Sequence, residues 1–164
     1  MPLRPAYKTF IGGLIGLTAL TASAYAQPVT ADGASLPHMT MYKDPYCGCC
    51  EAWADHMKAA GFQVTVKVEE AMGAVKAKYG VAPNLSSCHT AIVDDYVIEG
   101  HVPAASVKQL LKERPKAIGL TTPGMPMGSP GMEMPGSAPD TYDVLLFDGE
   151  TAKPFARYQG TKAL

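Results

Sequence analysis

No lysine- or arginine-rich run and no basic patch occurs anywhere in this 164-residue chain, whose 14 basic residues face 15 acidic ones. That absence argues against nucleic acid and anionic membrane as partners. No apolar stretch is long enough to span a bilayer. The longest, Phe10 to Ala22, is broken by small residues and falls short of the roughly 20 apolar residues a spanning helix needs. No internal repeat is visible. No proline stands in Ser87-Cys88-His89-Thr90.

The short apolar run has a different explanation. Arg4 and Lys8 precede it, and Ala24-Tyr25-Ala26 follows with a small-x-small cleavage pattern. Residues 1–26 therefore read as a secretory signal peptide, with no stable membrane insertion once it is removed. The expected mature chain starts at Gln27, carries a net charge of −3 and belongs in the periplasm. Residues 27–37 are polar and small, as suits a flexible tail. Residues 38–164 then form one domain.

Sulfur is what the chain has in concentration. Cys47, Cys49 and Cys50 fall within four residues, between a short apolar run ending at Tyr42 and a helical pattern marked by Trp53, Met57 and Ala60. Free N–H groups and the positive end of a helix dipole favour thiolate at such a corner. Two structural disulfides are the usual expectation for an exported chain with four cysteines. The spacing opposes it: neighbouring Cys49 and Cys50 cannot be bridged without strain, and three thiols in one turn staple distant segments poorly. Cys47 and Cys50 alone read as a Cys-x-x-Cys redox pair. The third thiol shifts the balance, because it would scramble disulfide exchange but adds a donor to a metal site.

Further along, Phe62 to Val68 alternates as a half-buried strand, and Glu69 to Tyr79 reads as a second helix with Met72, Val75 and Tyr79 on one face. Thr90–Val93 and Tyr96–Glu99 flank an Asp94-Asp95 turn. A third helix begins at Pro103 and ends near Pro115. Residues 121–139 form a Met-, Pro- and Gly-rich loop that cannot be helix or central strand. A terminal hairpin over 142–158 turns at Asp148-Gly149, with Pro154 marking an edge strand. The expected fold class is α/β: a thioredoxin-like sheet with flanking helices, plus the loop and the hairpin.

The candidate ligands follow from donor chemistry. Cys88 and His89 lie just before the third strand, in a loop expected to face the first thiol corner. Disulfide exchangers of this fold keep a cis-proline there. His101 opens the third helix, and imidazole suits copper. Met125, Met127, Met132 and Met134 are off helical spacing, and thioethers are soft donors for Cu(I). Each has a plainer alternative: a buried inert thiol, a structural histidine, or methionines capping the sheet edge. His38 and His56 are expected to face solvent, and Met39 and Met41 to join the core. Zinc on Cys47, Cys50, Cys88 and His89 fits less well, since adjacent thiols and thioethers are not its usual ligands.

Tyr46-Cys47-Gly48-Cys49-Cys50, Ser87-Cys88-His89-Thr90, Tyr96 to Pro103 and Pro123 to Glu133 together resemble the CopG copper-resistance proteins over His38 to Gly160. The resemblance implies a thioredoxin-like fold holding a cysteine-bridged, multinuclear copper centre that cycles between Cu(I) and Cu(II). It implies Cys47, Cys49, Cys50 and Cys88 as thiolate bridges, with the histidines and loop methionines matching the family pattern. The expected partners are copper ions and other periplasmic copper-handling proteins. The sequence leans away from an enzyme; the alternative is a thiol–disulfide oxidoreductase using Cys47 and Cys50.

Overall fold

A computed structural model describes residues 35–149 and 151–164; the signal peptide and most of the tail expected from the sequence lie outside these residues. The elements run β1 (Met39–Lys43), α1 (Gly48–Ala59), β2 (Val64–Val68), α2 (Met72–Lys78), β3 (His89–Val93), β4 (Tyr96–Glu99), α3 (Ala104–Glu113), β5 (Gly119–Thr121), β6 (Thr141–Asp148), β7 (Thr151–Gln159) and β8 (Lys162–Ala163). The strands form one sheet in the order β2-β1-β3-β4-β5-β6-β7-β8. The fold is α/β, as expected.

Alternation sets the faces. On β1, Met39, Met41 and Lys43 point to one side and are buried, while Tyr42 points to the other, against Tyr79. Met39 and Met41 pack with Trp53 and Met57 of α1 and Val107 and Leu110 of α3 in the main core. A smaller cluster of Val81, Leu85, Val97 and Phe147 fills the opposite face. Burying each large side chain of α1 is worth roughly 1.5–3 kcal/mol. That outweighs the ~1 kcal/mol forgone because Cys47, its N-cap residue, makes no side-chain cap. The core holds α1 in place and leaves its first N–H groups free.

Register decides where the ends meet. Lys43 pairs with His89, Thr90 with Glu99, and Glu99 with Thr121. The segments after β1, before β3, after β4 and after β5 therefore emerge at one end of the sheet. All four candidate-ligand segments start there.

Three details differ from expectation. β5 escapes sequence reading because it is three residues long; Gly119 is required in it, since a Cβ there would lie 1.8 Å from the Val97 carbonyl oxygen. α2 starts later than expected, at Met72, and contributes no fully buried residue. β7 is not the outermost strand, because β8 pairs with Tyr158 and Gln159. Pro154 nevertheless lies on a stretch of β7 that pairs with β6 and that β8 does not reach, an edge position where proline is tolerated.

Candidate metal centre

The thiol corner is built on Lys43. This lysine continues the buried alternation of β1 and is 1% exposed. Its ammonium needs acceptors there. Nζ donates to the carbonyls of Asp44 (3.2 Å), Pro45 (3.4 Å) and Cys47 (3.2 Å), and pairs with Glu51 at 3.1 Å. The Asp44 carboxylate accepts the Tyr46 N–H at 2.9 Å, and the Asp44 carbonyl accepts the Cys47 N–H at 3.1 Å. The chain is thereby folded tightly around a buried cation just before its first cysteine. Sequence reading missed Lys43, although a charged residue completing an apolar alternation was the available signal.

A disulfide joins Cys47 and Cys50, whose Cα atoms are 5.4 Å apart at the cap and first turn of α1. It closes a local ring and staples no distant segments. Cys49 and Cys88 are free thiols. The thiolate roles expected of Cys47 and Cys50 thus belong to the reduced chain. Cys49 Sγ lies 3.5 Å from Cys47 Sγ.

The opposite wall is Cys88. The sulfurs of Cys47, Cys49, Cys50 and Cys88 all lie within 4.8 Å of one another, and so do the ligand atoms of Cys88, His89 and His101. Cys88 belongs to both groups and joins them. Its Sγ is 3.0 Å from His101 Nε2 and 3.4 Å from His89 Nδ1. His101 Nδ1 donates to the Pro130 carbonyl at 2.8 Å, which leaves Nε2 with a lone pair facing the sulfur. His89 is fully buried between Trp53 (ring centroids 4.4 Å apart) and His101 (5.1 Å). Its Nε2 has no hydrogen-bond partner among the described residues.

The electrostatics keep this pocket neutral. Burial, with Cys49 adding to it, pushes the Cys88 thiol up to about 12. Its S–H is retained at neutral pH and can donate to His101 Nε2. A bound cation displaces such a proton. Burial also lowers both imidazoles, His89 well below the ordinary 6.5 and His101 in the same direction. Neutral imidazoles and sulfur suit a soft metal ion.

The same shifts predict a pH dependence. In the unfolded chain both histidines take protons near 6.5, and in the folded chain only at lower pH. Stability of the metal-free protein should be nearly flat between about pH 7.5 and 8, and should fall at higher pH, where the unfolded chain loses the Cys88 proton that the folded chain keeps. It should fall as pH drops below 6.5, by at most about 1.4 kcal/mol per pH unit for each histidine, until the folded chain also takes up that proton. Glu99, whose carboxyl is raised by burial, acts in the opposite sense but is one group against two. Urea midpoints between pH 7.5 and 5.5 check this; a midpoint that rose on acidification would contradict it.

Glu99 holds the Cys88 segment and was not singled out by sequence. Fully buried, it accepts the Ser87 N–H (2.7 Å) and the Thr90 hydroxyl (2.7 Å), and pairs with Lys76. Trp53 adds a second brace, donating Nε1–H to the Val102 carbonyl at 2.9 Å.

The methionine loop lies across this end of the sheet. Gly124 accepts from Ser87 Oγ and donates to the Ser86 carbonyl, beside Cys88. Gly131 (φ +85°) touches α1, where a Cβ would come within 2.6 Å of the Cys49 carbonyl oxygen and 2.7 Å of Trp53 N. Met125 and Met132 each follow one of these contact points. Met127 and Met134 do not; they line a separate cavity with Glu133 and residues 159–162. Met127 and Met134 thus share a cavity that Met125 and Met132 do not line. His38 is exposed and bonded to Thr65, and His56 is exposed and paired with Glu133 at 2.8 Å, so neither joins the thiols.

A family described as "Protein of unknown function, DUF411" matches residues 85–132, which span Cys88, His89, His101 and most of the methionine loop. No curated protein matches the chain. Two solved structures do. "Copper resistance protein copG- Form 1" is 44% identical, covering 77% of this chain and 100% of its own, with a TM-score of 0.70. "Copper resistance protein copG- Form 2" is 42% identical, covering 76% and 99%, with a TM-score of 0.71. With a cysteine cluster able to hold metal and whole-length similarity to these structures, the chain belongs to the CopG-type copper-resistance family.

Proposed function

We propose that this chain is an exported copper-binding protein of copper homeostasis, holding Cu(I) in a cysteine-bridged, multinuclear periplasmic site that supports Cu(I)/Cu(II) cycling. The observation that carries this reading is the spacing of the four sulfurs, all within 4.8 Å. Thiolate–metal bonds are about 2.3 Å, so one ion bridging two sulfurs spans at most about 4.6 Å. Each thiolate has lone pairs for more than one ion, so four sulfurs suffice for several. In the reduced chain Cys47, Cys49, Cys50 and Cys88 supply the negative charge. His101 presents a lone pair fixed by Pro130, and His89 lies beside it. Met125 and Met132, each next to a glycine that contacts the thiol-bearing segments, are the proposed neutral donors. Export rests on the leader expected over residues 1–26; among the described residues no helix is long and apolar enough to cross a membrane.

Anaerobic titration of the reduced protein tests this. More than one tightly bound Cu(I) per chain is expected, with proton release. Affinity should weaken on acidification by about tenfold per pH unit for each proton displaced. Less than one tight Cu(I) per chain, or binding unchanged by Cys49→Ser with Cys50→Ser, contradicts the proposal.

A second reading, thiol–disulfide exchange by Cys47 and Cys50, is favoured by the disulfide between them. Exchange of the metal-free protein with a mixed-disulfide substrate is its test, and no exchange removes it.

A further inference from the structure

Met127 and Met134 both line one cavity of about 250 Å3, whose walls include none of the four cysteines. The cavity is built on a fixed frame. Asp140 holds Met127 from both sides, its carboxylate accepting the Met127 N–H (2.8 Å) and its N–H donating to the Met127 carbonyl (2.9 Å). Asp140 in turn accepts the Gly160 N–H at 2.9 Å, tying the loop to the turn that closes the cavity. Gly128 and Gly160 let Pro139 pack against both: a Cβ on either would lie under 3.0 Å from it. Glu133 also lines the cavity, its two oxygens already oriented by His56 Nε2 and the Gly131 N–H, each at 2.8 Å.

A methionine that merely capped the apolar edge of the sheet would be covered by it. Met134 is 58% exposed and Met127 is only half-buried. Two solvent-accessible thioethers lining one cavity with a carboxylate match the chemistry of a soft monovalent cation. Neither needs to lose a proton to bind it.

We propose that Met127 and Met134 form a second binding site for Cu(I), distinct from the thiol pocket and weaker than it, with Glu133 supplying nearby negative charge. This inference rests on the copper-binding reading above, but it can fail or hold by itself.

The test uses the reduced full chain, Ag(I) as a redox-inert stand-in for Cu(I), and NMR of methionine methyl groups labelled with carbon-13. The thiolate-to-silver absorption band should grow and saturate first. The methyl signals of Met127 and Met134 should then shift together with further Ag(I). Met127→Leu with Met134→Leu, a volume-conserving pair, should keep the thiolate band and lose one weakly bound Ag(I) per chain. Met127 and Met134 signals that stay put, or full stoichiometry in the double variant, overturns the proposal. Methyl shifts without any thiolate band support this site while removing the thiol-pocket reading.

Discussion

Cys88→Ser is expected to weaken Cu(I) binding by more than about 100-fold, since loss of a residue merely orienting a ligand already costs 10- to 100-fold. The expectation follows from where this sulfur stands. It is the only thiol not carried on the α1 corner, and it alone lies within reach of both the other cysteines and the two buried imidazoles. Serine keeps the size and the hydrogen bond to His101 but replaces a soft donor by a hard one, so the fold should survive. Without Cys88 the corner keeps three sulfurs, but two of them pair with each other as a disulfide on oxidation. Competition against a Cu(I) chelator gives the number. An affinity within threefold of the parent would mean that sulfurs from separate segments do not share the metal. Losing Cys49 should cost less, because it adds one donor to a corner that already has two.

Glu99→Ala should destabilise the protein by about 3–5 kcal/mol, the usual consequence of removing one partner from a buried ion pair. Three groups lose their acceptor at once: the Ser87 N–H, the Thr90 hydroxyl and the Lys76 ammonium. The first two flank Cys88 and His89, so the damage is centred on the wall of the pocket. Glu99→Gln keeps an oxygen for the Ser87 N–H and Lys76, but its amide NH2 must donate to Thr90 Oγ1 where the carboxylate accepted, and it gives up the full charge opposite Lys76; it should cost clearly less than alanine. Urea unfolding of the metal-free variants measures both. Equal losses for alanine and glutamine would show that the ion pair, rather than the grip on the Cys88 segment, carries the stabilisation.

Much of this arrangement could be read from the residues in order. The alternation of Met39 and Met41 marked the buried face of β1, the Asp94-Asp95 pair marked a real chain reversal, and the three crowded thiols marked the corner. Period and turn chemistry are local, so they survive in sequence. Register is not local. Nothing near Cys88 reveals that His89 pairs with Lys43, which is what brings the fourth sulfur to the other three. The expectation that the Cys88 loop faces the thiol corner came from the thioredoxin-like element order, not from any residue beside Cys88. The roles of Lys43, Glu99 and Pro130 escaped for a related reason. Each acts through partners that are backbone carbonyls or N–H groups, and a carbonyl has no signature in a sequence. Four methionines in one loop looked like one ligand set. Met127 and Met134 line a cavity whose walls include no cysteine.

Anomalous X-ray scattering at the copper edge, on crystals of the reduced chain loaded with Cu(I), addresses the shared pocket most directly. Copper positions about 2.3 Å from the Cys88 sulfur and from at least one sulfur of the α1 corner, with more than one ion present, are the predicted result. Copper bound without Cys88, or held only by residues outside these four cysteines, would contradict it.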